Sequence, residues 1–475
     1  MPKIVLTKEK KGESSIIKSA EGSKPIDLKI AYIGGGSRGW AHSLMNDLAQ
    51  TIHFNGEVRL YDINYKMAEF NAKFGNWIQT NPKTVSNWKY RAVRDIKECL
   101  RGADFVFLSI QPGKIEDMGV DLLEPMKYGI YQPVGDTVGP GGHIRSLRTI
   151  KDYLFFAEAI KKYAPKAWCV NFTNPMTICT RTLYQGFPGI KAWGCCHEAF
   201  KAQHDMARLY AEKTGEKEPG REAINVNILG INHFTWINKA KYKGTDLFKM
   251  YLEHVNSPKV VNKFGKSKGI KKEQYFKSES QVCKILTKRF GAIAAAGDRH
   301  LAEFVPWFLL DKNSCRRWGF NLTPFSYRIK RFKEVPVQFA KTLKLGKHQD
   351  LYGSGEEYIN QMMAVTGKTT FVTNVNLPNS GQHLGLPLGA VVETNAVFSS
   401  AGVSPVSSGA LPDEITPLVL RHVINQETIL KSVLTKNEDL AFRAFASDPL
   451  VGKIAFDDAW KLFKTMVKKT NFKFK

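Results

Sequence analysis

Long apolar runs are missing from this chain. Nowhere in its 475 residues does an uninterrupted stretch approach the roughly 18–20 apolar residues that a membrane-spanning helix requires, which argues against a helical membrane protein. Cysteine is scarce and unpatterned: the seven stand at positions 99, 169, 179, 195, 196, 283 and 315, an odd number without a CxxC pair. That argues against a disulfide framework and a structural zinc site, and it fits a reducing, cytoplasmic setting. Acid is in deficit, with 44 Asp and Glu against 69 Lys and Arg, a net charge of +25. Such a surplus admits nucleic acid, a membrane surface or a small anionic molecule as partner. No helix-turn-helix, zinc-finger or ribonucleoprotein-type pattern accompanies it, so nucleic acid and membrane are set aside. The basic clusters at 263–272 and 461–475 read as solvated faces. The first 27 residues are basic and polar, lack the apolar core of a signal peptide, and read as a flexible tail. Internal repeats and low-complexity segments are absent.

What is present is ordinary globular composition, 43% hydrophobic and 24% charged, on a chain long enough for two or three domains. Short apolar segments at 28–33, 58–62, 104–110 and 167–172 alternate with helical patterns at 40–48, 66–78 and 144–163. Strands alternating with helices predict a doubly wound parallel sheet of the Rossmann type over residues 28–225. Past 225 the rhythm changes. Strand-like runs at 226–229, 234–238, 370–375 and 389–394, the last two read as possibly antiparallel, precede helices at 418–435 and 440–446. Residues 226–475 are therefore expected to form a mixed α/β domain for substrate binding and oligomerisation.

Gly34-x-Gly36-x-x-Gly39 follows the first strand and opens a helix. Glycines so spaced permit a tight turn, close backbone approach to a pyrophosphate and close helix–strand packing. Asp62 ends the second strand, where an acid binds ribose hydroxyls and repels a 2′-phosphate. The combination predicts NAD rather than NADP.

Cys196, in Cys195-Cys196-His197-Glu198, and His233, in Gly230-Ile231-Asn232-His233, both stand where an apolar run turns polar. A thiolate and an imidazole at two strand ends can form half of a divalent-metal site, leaving room for substrate oxygens and water. Each residue taken alone is more often a core residue. His197 is a rival ligand, but neighbours on an extended strand face opposite ways. Asp136 lies in the glycine-rich loop 135–142 ahead of Arg145 and Arg148, as an acid, a sugar-hydroxyl binder or a turn residue. Asn174-Pro175 closes a buried strand, as a hydroxyl binder or a plain turn. Residues 297–304 pack Asp298, Arg299, His300 and Glu303 into six positions, as a catalytic cluster or a helix start capped by Asp298.

Together these segments, GGGSRGW, GDTVGPGG, FTNP, CCHE, LGINHFTW, GDRHLAEF, TNVNLPN and VVETNA, resemble glycoside hydrolase family 4, the NAD- and Mn²⁺-dependent glycosidases, from Lys29 to about Phe463. Three of them, GDTVGPGG, CCHE and GDRHLAEF, resemble the α-galacturonidase branch. This family is a recognised exception to two-carboxylate glycoside hydrolysis. The resemblance implies oxidation at C3 of the sugar, loss of the C2 proton, elimination at C1, then return of water and hydride, with net retention. It further implies Cys196 and His233 as metal ligands, Asp136 and Asp298 as the acid–base pair in undecided order, and Asn174 as a hydroxyl binder. A homodimer or homotetramer is expected. A uronic acid brings a carboxylate, whose natural bidentate partner is a guanidinium; Arg299 is the candidate, with an ion pair to Glu303 or Asp298 as the alternative. The expected substrate is a small uronic-acid oligosaccharide. The alternatives are an α-glucosidase, α-galactosidase or α-glucuronidase on the same scaffold, or a simple NAD-dependent hydroxy-acid dehydrogenase.

Overall fold

A computed structural model describes residues 24–474. Most of the expected tail, residues 1–23, lies outside the described residues. The first strand begins at Ile26, two residues earlier than expected, because Ile26 N–H donates to His53 O at 2.9 Å and pairing with the next strand starts there.

Six strands run parallel: β1 (Ile26–Ile33), β2 (Phe54–Tyr61), β3 (Trp88–Val93), β4 (Phe105–Leu108), β5 (Trp168–Asn171) and β6 (Lys191–Gly194). Their spatial order is 3-2-1-4-5-6, the doubly wound dinucleotide-binding arrangement. Alternation explains why the central strands lie between two helical layers. Ile30, Tyr32, Phe105 and Phe107 enter one core with helices Trp40–Ala49, Tyr65–Ile78 and Tyr358–Val365. Ala31, Ile33, Val106 and Leu108 enter the opposite core with helices Gly139–Tyr163 and Met176–Gly186. Each fully buried Phe or Leu contributes roughly 1.5–3 kcal/mol to that sandwich.

The second half begins with the hairpin β7 (Asn225–Ile231) and β8 (Phe234–Tyr242), extended by β9 (Thr245–Asp246) and β10 (Ile293–Ala294). The later strands do not stay in that smaller sheet. β11 (Phe371–Pro378) pairs antiparallel with β6 at Asn376 and Gly194, and β13 (Val391–Ser399) and β14 (Gly402–Pro405) follow it outward, while β12 (His383–Leu384) lies apart. The two halves thus share one nine-stranded sheet. The glycine-rich segment also differs from its expected form. Residues 139–142 are the first turn of helix Gly139–Tyr163 rather than loop, and a Cβ on Gly142 would lie 2.4 Å from the Thr137 carbonyl carbon. Glycine there lets the helix start pack directly on the segment that carries Asp136. Among the described residues no helix is long and apolar enough to cross a membrane.

Candidate active site

The carboxyl ends of β1, β2, β4, β5 and β6 lie along one edge of the sheet, and the strand order reverses between β1 and β4. Gly34 follows β1 with φ +93, and a Cβ there would sit 2.0 Å from Ser109 O, just past β4. Gly36 N–H donates to Asp62 Oδ2 at 2.8 Å, and Asn64 N–H to Asp62 Oδ1 at 2.7 Å. Burial pushes the Asp62 carboxyl up, against those bonds and the charge of Arg38. This cradle fits a dinucleotide: backbone at close range, a helix N-terminus beyond it, and an acid at the second strand end. Gly39 is different from expectation. A Cβ there would meet nothing within 4 Å, and the close packing falls on Gly35, whose Cβ would lie 2.6 Å from that of Leu60.

Further along the same edge a polar cluster is assembled from distant segments. The side-chain ligand atoms of Asp136, His233 and His300 lie within 4.8 Å of one another. His233 occupies the two-residue turn between β7 and β8 in the left-handed region, φ 68, which turns its ring inward. Its Nδ1 is 2.9 Å from Thr137 Oγ1, and its Nε2 is 3.6 Å from Cys196 Sγ. Cys196 follows β6, and the adjacent His197 turns away to bond Glu356. Thr137 Oγ1 donates to Asp136 Oδ1 at 2.8 Å, and Asn174 Nδ2 donates to Asp136 Oδ2 at 3.3 Å. Asn174 Oδ1 is buried without a partner, next to a cis peptide to Pro175. The His300 ring lies 3.8 Å from that of His233, and its Nε2 is 3.6 Å from Glu198 Oε1.

Glu393 on β13 links the His233 and Cys196 segments through amides: it accepts from Asn232 at 3.0 Å, beside His233, and from Asn374 at 2.6 Å, whose amide also reaches Cys196 O at 3.4 Å. Glu303 holds the segment before Asp136, accepting from Val134 N–H at 2.6 Å and Gly135 N–H at 2.9 Å.

Charge in the cluster fits a cation. Burial opposes ionisation of Asp136, yet His233, His300 and Arg145 bring its carboxyl down to about 2. Glu198 is likewise brought to about 2 by His300, His197 and His233 against its burial. Burial and His300 lower His233 to about 3, so its imidazole is neutral and available as a ligand. Burial pushes the Cys196 thiol up, and Glu393, Glu356 and Glu198 add to that. A divalent cation reverses the balance, because it favours a thiolate outright. Nitrogen, sulfur and carboxylate donors together suit a transition-metal ion.

Two residues singled out from the sequence make contacts elsewhere. Asp298 is buried, and its Oδ1 accepts from Cys283 N–H at 3.0 Å, at the start of helix Gln281–Phe290. It thus caps a neighbouring helix rather than its own. Arg299 pairs with neither Glu303 nor Asp298. Its Nη2 donates to Pro133 O at 3.0 Å and Thr323 Oγ1 at 2.6 Å. The sequence gives Glu198 no role, and it marks His300 and Glu303 only as members of the 297–304 cluster, without a part in the site. The residue cluster at 298–303 was the available signal, but nothing local says which member turns inward.

The chain matches the sequence model of the family 4 glycosyl hydrolases over residues 29–212, and that of the family's C-terminal domain over 228–451. It belongs to glycosyl hydrolase family 4. Within the family, it is 49% identical over 450 residues to an alpha-galacturonidase of Thermoanaerobacterium saccharolyticum, covering 94% of this chain and 96% of that one. An alpha-galacturonidase of Bacillus subtilis is 45% identical over 446 residues, covering 93% and 97%. Among solved structures, that of Bacillus subtilis lplD, described as a glucosidase, superposes with a TM-score of 0.86 at 45% identity, covering 93% of this chain and 99% of that one. A 6-phospho-alpha-glucosidase from gut microorganisms, solved with NAD and Mn²⁺, shares the fold at a TM-score of 0.74 and 17% identity, covering 94% and 99%. The family 4 chain is therefore a glycoside hydrolase whose donor cluster stands on a dinucleotide-binding sheet.

Proposed function

We propose that this glycosidase hydrolyses α-galacturonides, oligogalacturonides among them, and that it does so with NAD and Mn²⁺. The observation that carries the reading is the convergence of Asp136, His233, His300 and Cys196 at the edge of the sheet that also carries the Gly34–Asp62 cradle. The 49% and 45% identical alpha-galacturonidases support the choice of sugar. When bound, NAD supplies a hydride acceptor and Mn²⁺ supplies Lewis acidity, which together make a C2 proton acidic and the C1 bond labile.

The chain's own residues supply the rest. Gly34, Gly36 and Gly39 bring backbone to the pyrophosphate position, and Asp62 selects NAD at the ribose. Cys196 and His233, joined by His300, are the metal donors, and Asp136 stands beside them. Thr137 and Asn174 each hold one oxygen of Asp136, so its ionised carboxylate can take or return a proton at a fixed place. Asn174 Oδ1 is free to accept from a sugar hydroxyl. Asp298 would act as the second proton-transfer group only by leaving the helix start it caps. Arg299 is the proposed partner of the uronate carboxylate.

The test is a substrate panel: digalacturonate, a diglucuronide and neutral α-disaccharides, each with NAD⁺, Mn²⁺ and a thiol reductant. Digalacturonate is expected to be cleaved fastest, without net NADH. Preferential cleavage of a neutral disaccharide, or accumulation of NADH in step with substrate loss, contradicts the reading.

A further inference from the structure

Helix Phe325–Leu345 has no fully buried residue, yet one of its faces makes specific contacts. Arg328 Nη2 donates to Val134 O at 2.9 Å and Pro133 O at 3.2 Å. One turn later the Phe332 ring lies 3.3 Å beneath the guanidinium of Arg38, in the nucleotide fingerprint. Further on, Phe339 packs on His42 and Phe74, at 4.2 and 4.9 Å between ring centroids. Residues four apart share a helix face, so the contacts of Phe332 and Phe339 fix the helix and thereby aim Arg328 at the segment two residues before Asp136.

Arg299 reaches the same carbonyl, Pro133 O, from the helix Asp298–Phe304. Two guanidinium groups thus meet at one backbone oxygen. Each keeps an Nε–H that is buried and bonded to nothing. Among the described residues, neither makes an ion pair with a carboxylate within 4 Å, as the ion pairs fall on other residues. Glu303, the nearby acid, is occupied by backbone N–H groups, and burial raises it to about 8, so it is no full counter-charge at neutral pH. Arginine does not discharge itself, and desolvated positive charge without a partner is costly. The pair of guanidinium groups gains its missing counter-charge when an anion enters beside them.

We propose that Arg328 is the second arm of the carboxylate-binding site, closing with Arg299 on the C5 carboxylate of the uronosyl unit. This deepens the galacturonide reading and rests on it for the identity of the sugar. In this arrangement the carboxylate is held between guanidinium groups from two helices, while Asp136 stands three residues along the chain from the shared carbonyl of Pro133. Discrimination between uronide and neutral sugar then depends on both arginines, and helix Phe325–Leu345 becomes part of the specificity pocket. No residue in the sequence around Arg328 announces this, since Lys330, Arg331 and Lys333 surround it with equivalent charge.

The test uses the full chain with NAD⁺ and Mn²⁺. Arg328→Met and Arg328→Lys are compared with wild type for kcat/KM on 4-nitrophenyl α-galacturonide and 4-nitrophenyl α-galactoside, and for binding of free galacturonate and galactose by calorimetry. The expected result is a loss of about 30-fold or more for the galacturonide in Arg328→Met, carried mainly by KM, with the galactoside changed by less than about 3-fold. Arg328→Lys, which keeps the charge but not the fork, is expected to recover part of the loss. Galacturonate binding weakens in parallel, and NAD⁺ affinity stays at the wild-type value. Equal losses on both glycosides, or unchanged galacturonate binding, overturns the proposal. If wild type fails to cleave any galacturonide yet binds galacturonate through Arg328, the functional reading fails while the carboxylate site stands. If wild type cleaves galacturonides and Arg328→Met does so equally well, the site fails while the functional reading stands.

Discussion

The two ends of the cleft are built by opposite means. The nucleotide end is local: Gly34, Gly35 and Gly36 form one turn after β1, and Asp62 joins them through a single 2.8 Å bond from the next strand. The metal end is assembled from afar: Asp136, Asn174, Cys196, His233 and His300 come from five separate segments and meet only when the hairpin β7–β8 folds against the sheet edge. The local end depends on backbone shape, the assembled end on side-chain charge. Damage should separate accordingly. A change at the metal end should stop chemistry and leave nucleotide binding, whereas a change in the turn should weaken nucleotide binding and stability together.

The largest separation is expected from Cys196→Ala. Cys196 is half-buried in a loop, and its thiol lies 3.6 Å from His233 Nε2. Turnover should fall by at least about 10²-fold, since even supporting groups of a metal site cost 10–100-fold. NAD⁺ affinity and the melting curve should stay close to wild type, which titration and calorimetry would read. Full activity in this variant removes Cys196 from the site. Next comes Gly34→Ala. At φ +93, with Ser109 O only 2.0 Å from the new Cβ, the turn cannot hold its shape. The expected cost is more than about 1 kcal/mol of stability together with weakened NAD⁺ binding. A variant with unchanged NAD⁺ affinity and melting temperature would show that the turn is not held as described.

This contrast also accounts for what could be read from the sequence. The alternation of strands and helices, the fingerprint and Asp62 are short-range patterns, and they foretold a parallel sheet with a nucleotide crevice. The glycine-rich run 135–142 reads as loop because glycine signals turns, whereas close packing of Gly142 on Thr137 makes residues 139–142 the helix start. Strands β11 and β13 could be recognised as strands, whereas the short β14 carries no such signal, and joining the first sheet is a tertiary event with no local mark. Cys196 and His233 stood out as rare residue types at strand ends. His300 lay in a crowded segment, and only the fold turns it, rather than Asp298, toward His233. Arg328 is one basic residue among several on its helix, and its selection rests on which face the helix buries.

The smallest expected effect concerns the support beneath the metal end. His422 Nε2 lies 2.7 Å from Phe304 O, at the end of the helix that carries His300, and burial lowers the ring to about 4. The sign is fixed by where the proton binds. Below pH 6.5 the unfolded chain takes up a proton at this ring and the folded chain does not until about pH 4. The stability it supports is therefore present above pH 6.5 and lost progressively as pH falls from 6.5 toward 4. In His422→Gln the decline in melting temperature over that window should be shallower than in wild type, while NAD⁺ affinity at pH 7 is unchanged. An equally steep decline in both proteins would assign the acid sensitivity to other groups.

The central claim is that the nucleotide end and the metal end act together on one sugar, so that hydrolysis passes through a labile C2 proton. Hydrolysis of digalacturonate in D₂O, with the product read by NMR and mass spectrometry, tests this most directly. The account predicts one solvent deuterium at C2 of the galacturonate released from the non-reducing end. Complete cleavage with hydrogen retained at C2 would contradict it.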